Sequence, residues 1–308
     1  MSERYQRPSE RFSDYAADSG VLLFEQYAGE EPNVGERWKY YDLATSPIDF
    51  EHEILSLLDL DADAIVADVG CERATLLQDM RLRYRHRGAL IGVDLYPEKL
   101  AAVSQELNDL GAEGIHFIAG NAKELPLKTD SLDALFCLFM LYHLEDPREG
   151  LSEIRRTVKP GGKILISTSG KTNKRRHREI EMEIASYLGI KPPPIFTSSF
   201  NSIIAAEELP KWFQVQGRIR QAGWAKIKSQ SGYEIYRNSL ATMRSTFSPA
   251  PSDEQWDDAI RNVLVPAINY DIDQQPMYDG SGTLQPRYFR DTVERDFFIC
   301  VNNEPHTG

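Results

Sequence analysis

An α/β fold built on a doubly wound, mostly parallel sheet is predicted by three features of this 308-residue sequence. Short apolar runs of strand character alternate with amphipathic helical runs between residues 64 and 168. The first run turns at Gly70 into a helical run, which is typical of the nucleotide-binding corner of such folds. An acid, Asp94, closes the second run. These features predict a ligand at the carboxyl ends of the strands.

The alternation defines the expected elements and four segments of the chain. Up to Gly170 it predicts a regular sequence of strands and helices, with Lys159-Pro160-Gly161-Gly162 as a sharp turn. After Gly170 helices dominate, and two late strands are expected to pair at the sheet edge. The predicted strands are 64–69, 89–94, 115–118, 133–138, 163–168, 225–228 and 296–301, and the predicted helices are 73–84, 97–110, 147–157, 177–188, 206–222, 233–246 and 253–265. We divide the chain into an N-terminal helical lid (1–60), a core (61–170), a helical cap with one late strand (171–290), and a last strand with a tail (291–308).

Charge and cysteine content limit the function classes. The sequence has 35 Lys and Arg against 47 Asp and Glu, a formal net charge of −12. Because phosphate attraction supplies most non-specific nucleic-acid affinity, we expect a small-molecule partner and no nucleic acid. The three cysteines form no CxxC pair, so no disulfide framework and no metal site are expected. No apolar run approaches about 20 residues and no signal peptide is evident, so a soluble, cytoplasmic protein with no membrane partner is expected.

Asp94 lies 24 residues after Gly70, at the end of the second predicted strand. A carboxylate there can accept both ribose hydroxyls of a nucleoside that lies across the glycine turn. The alternative is a local role, because an acid followed by Tyr96 and Pro97 also favours the start of a helix. The two roles are compatible.

Four stretches resemble, in order, the motifs of class I S-adenosylmethionine-dependent methyltransferases: AIVADVGCERATLL, IGVDLYPEKL, IHFIAGNAKELPLKTDSLDALFCLFMLYHLEDP and TVKPGGKILIST. The resemblance covers about residues 60 to 170. It implies a Rossmann-like, seven-stranded sheet with an antiparallel last strand, and S-adenosylmethionine as the cofactor. It also implies donor contacts, position by position: Asp68, Gly70 and the backbone near Cys71 face the methionine half, Asp94 and the adjoining Leu95 hold the ribose, Asn121 and Ala122 border the adenine, and Cys137 and Leu138 line the floor.

Three residues depart from the family pattern. Glu72 and Ala74 stand at glycine positions, and Asn121 replaces an aspartate. Alanine is tolerated at 74 if its backbone is helical, whereas a glutamate in a tight turn requires an allowed φ and brings a carboxylate near that of the donor. Arg73 is therefore predicted to pair with one of these acids, and the alternative is that Glu72 and Arg73 face solvent. Missing glycines favour a methyl donor over a dinucleotide, because the methyl donor has no phosphate to approach the backbone.

The methyl acceptor is less well defined. His143 follows strand four, where it is a candidate general base or, alternatively, a structural histidine. The basic run from Lys171 to Arg178 is a candidate site for an acidic substrate or the solvated face of a helix. Aromatic residues form either the wall of an acceptor pocket or part of the sheet packing. These aromatic residues are Tyr15, Tyr27, Trp38, Tyr41, Trp212 and Tyr233.

The predicted function is methyl transfer from S-adenosylmethionine to an oxygen, nitrogen or carbon atom of a small molecule, in specialised metabolism. Two alternatives remain at this point: an RNA-base methyltransferase, and a catalytically inactive donor-binding regulator. The sequence leaves the oligomeric state open, a homodimer included.

Overall fold

The computed structural model describes Leu43, Leu55 and residues 58–228, 230–275, 281, 283 and 287–303. Apart from Leu43, Leu55 and residues 58–60, the predicted N-terminal lid therefore lies outside the described residues. The four candidate acceptor residues in it also lie outside: Tyr15, Tyr27, Trp38 and Tyr41.

The first half of the described chain alternates strands and helices, as expected from the apolar pattern. Most of these strands are buried on both faces because helices cover both sides of the sheet, and the edge strand Ile115–Ala119 is the exception. The elements are β1 (Val66–Val69), α1 (Thr75–Leu82), β2 (Leu90–Asp94), α2 (Pro97–Asp109), β3 (Ile115–Ala119), β4 (Leu132–Leu138), a 3₁₀ turn (Leu141–His143), α3 (Pro147–Thr157) and β5 (Val158–Ser169).

The second half adds a group of helices and two long antiparallel strands. Its elements are α4 (Arg175–Leu188), 3₁₀ turns at Phe196–Ser198 and Leu209–Lys211 on either side of α5 (Ser202–Glu208), β6 (Gln214–Ile227), α6 (Gln230–Ala241), a 3₁₀ turn (Arg244–Thr246), α7 (Asp253–Ala259), a π-helical segment (Ile260–Leu264), α8 (Val265–Asp273) and β7 (Phe289–Val301). The two long strands pair with each other, and we call them the β6–β7 hairpin although helices separate them in sequence.

The strands form a seven-stranded sheet in the order β3-β2-β1-β4-β5-β7-β6. β1 to β5 are parallel, and β7 is antiparallel to both β5 and β6. This confirms the predicted doubly wound, mostly parallel sheet and the late hairpin at its edge. The carboxyl ends of β1, β2 and β4 therefore meet at one edge of the sheet, where the sequence predicted the ligand.

The predicted helix at 206–222 is wrong. Helix α5 ends at Glu208, and Gln214–Ile227 is a strand whose residues alternate between an exposed and a more buried face. Its inward positions include Gly217, Gln221 and Gly223, which are not apolar side chains, so the period of two is hard to recognise in the sequence. The last strand also begins earlier than predicted, at Phe289, because several of its charged residues are buried and hydrogen-bonded.

Two hydrophobic clusters build the molecule. The first surrounds β1 to β5 and includes Leu77, Leu135 and Phe298. The second lies among α4, α6, α7, the π-helical segment and α8, and includes Tyr236 and Trp256. The upper part of the β6–β7 hairpin, from Glu294 to Phe289 in β7, runs past the last paired residue of β5 and contributes Phe289 and Val293 to this second cluster. One hairpin therefore connects the sheet to the helical group.

The π-helical segment joins α7 to α8 without a break in the helix. Pro266 is the second residue of α8, so it lacks the N–H that a regular helix would use at that point. A π-type turn directly before a proline accommodates the missing hydrogen bond and the bulk of the ring. The helix therefore continues to Asp273. The sequence pattern predicted that it ends near residue 265.

Candidate active site at the carboxyl edge of the sheet

Gly70 forms the turn at the end of β1. Its φ is +76°, and its N–H donates to the carbonyl oxygen of Val93 at 2.8 Å, which ties the turn to β2. A Cβ at this position would lie 2.6 Å from Cγ of Met140, in the segment after β4. Glycine is therefore required twice, for its positive φ and for the close approach of Met140.

The two residues that replace family glycines both adopt the left-handed conformation. Glu72 has φ +44° and Ala74, which precedes α1, has φ +51° and ψ +33°. The expectation that Ala74 has a helical backbone is therefore wrong, and each residue carries a cost of about 1–2 kcal/mol. Two hydrogen bonds hold this geometry: the Glu72 N–H donates to Asp94 Oδ2 at 3.0 Å, and the Ala74 N–H donates to the Cys71 carbonyl at 2.6 Å.

Asp68 is a buried carboxyl group at this edge, with 5% of its surface exposed. Among the described residues no hydrogen bond reaches its side-chain oxygens. Burial, followed by the nearby negative charge of Asp94, raises the pKa of Asp68 to about 7. Asp68 is therefore a charge that the described part of the chain leaves uncompensated.

Asp94 is better solvated and better bonded. It is half-buried, and it accepts hydrogen bonds from the backbone N–H groups of Glu72 and Tyr96, the latter at 3.4 Å. Burial raises its pKa, and these backbone hydrogen bonds oppose the rise. A carboxylate accepts about four hydrogen bonds, so Asp94 retains acceptor capacity for a ligand.

The cysteines of the predicted donor site are packing residues. A Cβ on Gly92 would lie 2.8 Å from Sγ of Cys71, which shows that the Cys71 thiol packs over β2 and leaves only its backbone for a ligand. Cys137 and Leu138 are buried at the end of β4. Burial raises the pKa of both thiols, so they stay protonated near neutral pH.

The residues predicted to border the ribose and adenine lie at the ends of β2 and β3. Leu95 follows Asp94 and is 52% exposed, which is unusual for a large apolar residue. Asn121 is exposed, and its Oδ1 accepts a hydrogen bond from the Lys123 N–H at 3.0 Å, which leaves one lone pair for a ligand amine. Ala122 is half-buried beside it.

Arg73 pairs with Glu106 of α2 rather than with Glu72. The Nη2–Oε1 distance is 3.2 Å, and both side chains are about half exposed. Of the two predicted partners, Glu72 is therefore not the one that Arg73 contacts, and a contact with the carboxylate of the donor stays a prediction. An exposed pair of this kind contributes about 0–1 kcal/mol.

Sequence reasoning missed the two residues that follow β4 directly. Phe139 has φ +52°, and its N–H is held by Ser167, through the carbonyl oxygen at 3.1 Å and Oγ at 3.0 Å. Its ring meets that of Phe297 edge-on at 5.7 Å. Phe139 and Met140 are both buried, and Met140 packs against Gly70. The available signal was the apolar run LFCLFMLY, which continues past the end of the strand.

His143 lies in the 3₁₀ turn after these residues. It is half-buried, and its ring centroid lies 4.5 Å from that of the buried Tyr142. This position is next to the donor corner, since the same segment contains Met140. A role as general base stays a prediction.

The structure separates the other predicted acceptor residues from this edge. Trp212 lies just before β6. The first residue of β6 pairs with Val301 of β7, and Val301 in turn pairs with Lys163, the first residue of β5 that pairs with β7. The indole N–H of Trp212 donates to Glu208 at 3.2 Å. Trp212 as a pocket wall is therefore wrong, because the donor corner is at the opposite end of the sheet. Tyr233 packs against the second cluster.

The basic run after β5 is paired within the chain. Arg175 bonds Glu179, Arg178 bonds Glu181, and Arg176 contacts Asp271 at 2.5 Å and Glu183 at 2.7 Å. This favours the structural interpretation of the run over an anion site. Among the described residues, no group of three or more His, Cys, Asp or Glu is arranged to hold a metal ion. In the same residues no helix is both long and apolar enough to cross a membrane.

The polar groups at this edge fit S-adenosylmethionine. Asp68 is a buried carboxyl group without a side-chain partner among the described residues, and it suits the donor's ammonium group. Asp94 has spare acceptor capacity for two ribose hydroxyls. The backbone turn at Gly70 gives a ligand close access to the strand ends.

A family model described as a methyltransferase domain matches residues 67–166, from β1 to β5. The chain is a class I S-adenosylmethionine-dependent methyltransferase. S-adenosylmethionine is its cofactor. Two similar curated proteins are demethylmenaquinone methyltransferases of Bacillus subtilis and Bacillus cytotoxicus, 24% and 26% identical to this methyltransferase. The alignments cover 63% and 61% of this chain and 88% and 84% of those proteins.

Solved structures agree on the fold of the methyltransferase. The YcgJ protein of Bacillus subtilis has a TM-score of 0.53 at 16% identity, over 83% of this chain and 98% of that one. A phosphoethanolamine N-methyltransferase of Haemonchus contortus, solved with S-adenosylhomocysteine, has a TM-score of 0.50 at 16% identity, over 87% of this chain and 57% of that one. At these identities the likeness concerns the fold alone.

Proposed function

We propose that this methyltransferase transfers the methyl group to a small, apolar, aromatic acceptor of the quinone class, in its reduced form. The observation that carries the proposal is the buried apolar run after β4, from Phe139 to Tyr142, in which Met140 packs against Gly70 of the donor corner. Apolar, aromatic walls suit flat aromatic ligands. The similarity to demethylmenaquinone methyltransferases supports the same acceptor class.

Each residue at this edge has a defined task in the proposed reaction. When bound, S-adenosylmethionine supplies an activated methyl group on a sulfonium. Asp68 accepts hydrogen bonds from the ammonium end of the donor, and Asp94 accepts them from the ribose hydroxyls. Phe139 and Met140 exclude water and hold the acceptor ring against the donor, so that proximity and orientation supply most of the acceleration. His143 takes the proton that the acceptor loses.

The acceptor class is tested with the purified full chain and isotopically labelled S-adenosylmethionine. Reduced short-chain naphthoquinones, simple phenols, amines and bulk transfer RNA are offered separately, and products are identified by mass spectrometry. We expect labelled product from the naphthoquinol alone. Transfer to RNA or to amines without transfer to any quinol would overturn the proposal. The Asp94→Ala variant controls for label that is incorporated without the bound donor.

The role of His143 has its own test. We expect His143→Gln to lower the turnover number by about 100-fold at neutral pH, the lower range for loss of a general base, while the dissociation constant of S-adenosylhomocysteine stays the same. The loss should shrink at high pH, where the acceptor ionises without help. Near-normal turnover across the pH range would exclude His143 as the base.

A further inference from the structure

The upper part of the β6–β7 hairpin has two chemically opposite faces. One face is buried in the second cluster and carries Ala225, Ile227 and Phe289. The residues that alternate with these along the two strands, or that flank them, point the other way. They form a patch of cations and aromatic rings, which we call the hairpin patch: Trp224, Lys226, Lys228, Tyr288 and Arg290.

Cations and rings in the hairpin patch contact each other. The guanidinium of Arg290 lies 5.1 Å from the ring centre of Trp224, and the ammonium groups of Lys226 and Lys228 lie 5.3 and 5.4 Å from that of Tyr288. Trp224 is 44% exposed. Cation–π contacts at exposed sites are weak, so they order the patch without satisfying its charge.

The described residues provide no ion-pair partner for the cations of the hairpin patch. Within the described part of the chain, Lys226, Lys228 and Arg290 take part in no ion pair. Further down the same face the arginines are paired, since Arg218 and Arg220 both bond Asp296. The formal net charge of the chain is −12. A cluster of three cations without an ion-pair partner among the described residues therefore makes this surface locally basic on an acidic protein.

We propose that the hairpin patch docks the methyltransferase on a bilayer that contains anionic phospholipid. Lysine and arginine are drawn to such a surface, and tryptophan and tyrosine settle at the boundary between headgroups and acyl chains. The proposal rests on the proposed function, because an apolar quinone acceptor would partition into a bilayer. It also departs from the expectation of no membrane partner, which considered spanning segments and overall charge.

Charge and position favour a membrane over a polynucleotide. A long polyanion would follow the protein surface and meet its net negative charge, whereas docking on a flat bilayer requires only one local basic patch. The patch also lies beyond the carboxyl end of β5, at the same end of the sheet as Asp94 and Gly70. Docking there turns the donor end of the sheet towards the membrane.

Vesicle flotation of the full chain tests the proposal. Vesicles of phosphatidylcholine alone are compared with vesicles containing phosphatidylglycerol, at low salt and without any acceptor. We expect binding to the anionic vesicles only, weakening as salt is added. The triple variant Lys226→Gln/Lys228→Gln/Arg290→Gln should bind on the order of 100-fold more weakly, since each basic residue contributes roughly a factor of five to ten. A matched triple variant at other exposed cations, Lys128→Gln/Lys191→Gln/Arg261→Gln, should bind like the natural chain.

Two further readouts make the outcome specific. Brominated acyl chains should quench the fluorescence of the bound natural chain, and this quenching should be largely lost in Trp224→Phe. Equal loss of binding in both triple variants, absence of binding to anionic vesicles, or patch-dependent binding of single-stranded DNA without vesicle binding would each overturn the proposal. Methyl transfer to a water-soluble quinol should be unchanged in the patch variant. If no quinol is methylated, the proposed function fails while the vesicle result still decides the docking.

Discussion

The donor corner and the β6–β7 hairpin both hold buried acids, but they treat them differently. Asp291 of the hairpin is 1% exposed and accepts hydrogen bonds from the backbone N–H groups of Arg176 and His177 and from the Tyr236 hydroxyl. Asp68 at the corner is also buried, yet no described residue donates to its side chain, and Asp94 adds repulsion. The chain therefore satisfies Asp291 with its own donors, whereas Asp68 is left for a ligand.

This difference gives the two acids opposite roles in stability. Asp291 fixes the first turn of α4 and the second cluster, so its charge is a structural element. The charge of Asp68 costs stability until a positive group from a ligand arrives.

Replacement of Asp291 should have the largest effect. In Asp291→Ala, four donors lose their acceptor, the Thr292 N–H included, so we expect the free energy of unfolding to fall by about 3–5 kcal/mol. Urea unfolding at neutral pH measures this loss. Asp257→Ala, which changes an exposed acid in the same helical group, should stay within about 0.5 kcal/mol. A small effect of Asp291→Ala would show that the contrast with Asp68 is wrong.

Replacement of Asp68 should act in the opposite direction and depend on pH. The pKa of Asp68 rises from 3.8 to about 7 on folding, so its contribution to stability is fully present below pH 4 and is lost as pH rises through 7. The side chain of Asp68→Asn does not ionise, so the variant does not lose stability as pH rises. Above pH 8 we expect the ligand-free variant to have a free energy of unfolding higher than that of the natural chain by on the order of 4 kcal/mol. Thermal unfolding between pH 4 and 9 measures the difference, which should vanish at the acid end.

Donor binding should show the same titration. The natural chain should bind S-adenosylhomocysteine more tightly as pH rises through 7, because ionised Asp68 meets the ligand's ammonium. Asp68→Asn should bind weakly at all pH values. The assignment of Asp68 as the partner of the ammonium group would be contradicted if Asp68→Asn were no more stable than the natural chain above pH 8. It would also be contradicted if the natural chain bound S-adenosylhomocysteine equally well at all pH values.

Replacement of Asp94 should weaken donor binding by about 100-fold, since two hydrogen bonds to a charged group contribute about 3 kcal/mol or more. Calorimetry of Asp94→Ala with S-adenosylhomocysteine measures this loss. Glu98→Ala removes a neighbouring exposed acid in the first turn of α2 and should leave the dissociation constant unchanged. Equal effects in the two variants would point to general electrostatics rather than ribose contacts.

Glycine substitutions in the turn should produce the smallest change. Glu72 is left-handed, so Glu72→Gly should raise the free energy of unfolding by about 1 kcal/mol. Arg73 has a negative φ, so Arg73→Gly should lower it by a similar amount. If both variants are destabilised, the left-handed geometry of Glu72 carries no strain.

The sheet from β1 to β5 and the positions of Asp68, Gly70 and Asp94 follow from sequence because local signals agree there. Apolar strands, a glycine after β1 and an acid at the end of β2 all indicate the same architecture. The conformation of Ala74 could not be read in this way. Alanine normally favours a right-handed helix, and the hydrogen bond from its N–H to Cys71 overrides that preference.

The hairpin resists prediction for a different reason. Gln214–Ile227 contains many polar residues because one face of this edge strand is exposed, and glycine and glutamine at inward positions (Gly217, Gln221 and Gly223) weaken its apolar period. In β7, Arg295 and Asp296 are buried beside partners that lie far away in sequence, such as Gln221 and Arg218. Such pairings follow from tertiary structure alone. The net charge of −12 gave no sign of the hairpin patch, because a net charge is a sum over the whole surface and does not show where basic residues cluster.

The strand order has a consequence for synthesis of the chain. β7 lies between β5 and β6, although it is made after both of them. When β6 leaves the ribosome, it therefore has no neighbour in the sheet, and β5 ends the parallel part with an open edge. Both edges must remain unpaired until Phe289–Val301 has been translated. A growing chain of this protein is therefore most exposed to misassociation during that interval, and a chaperone that recognises extended segments would act there.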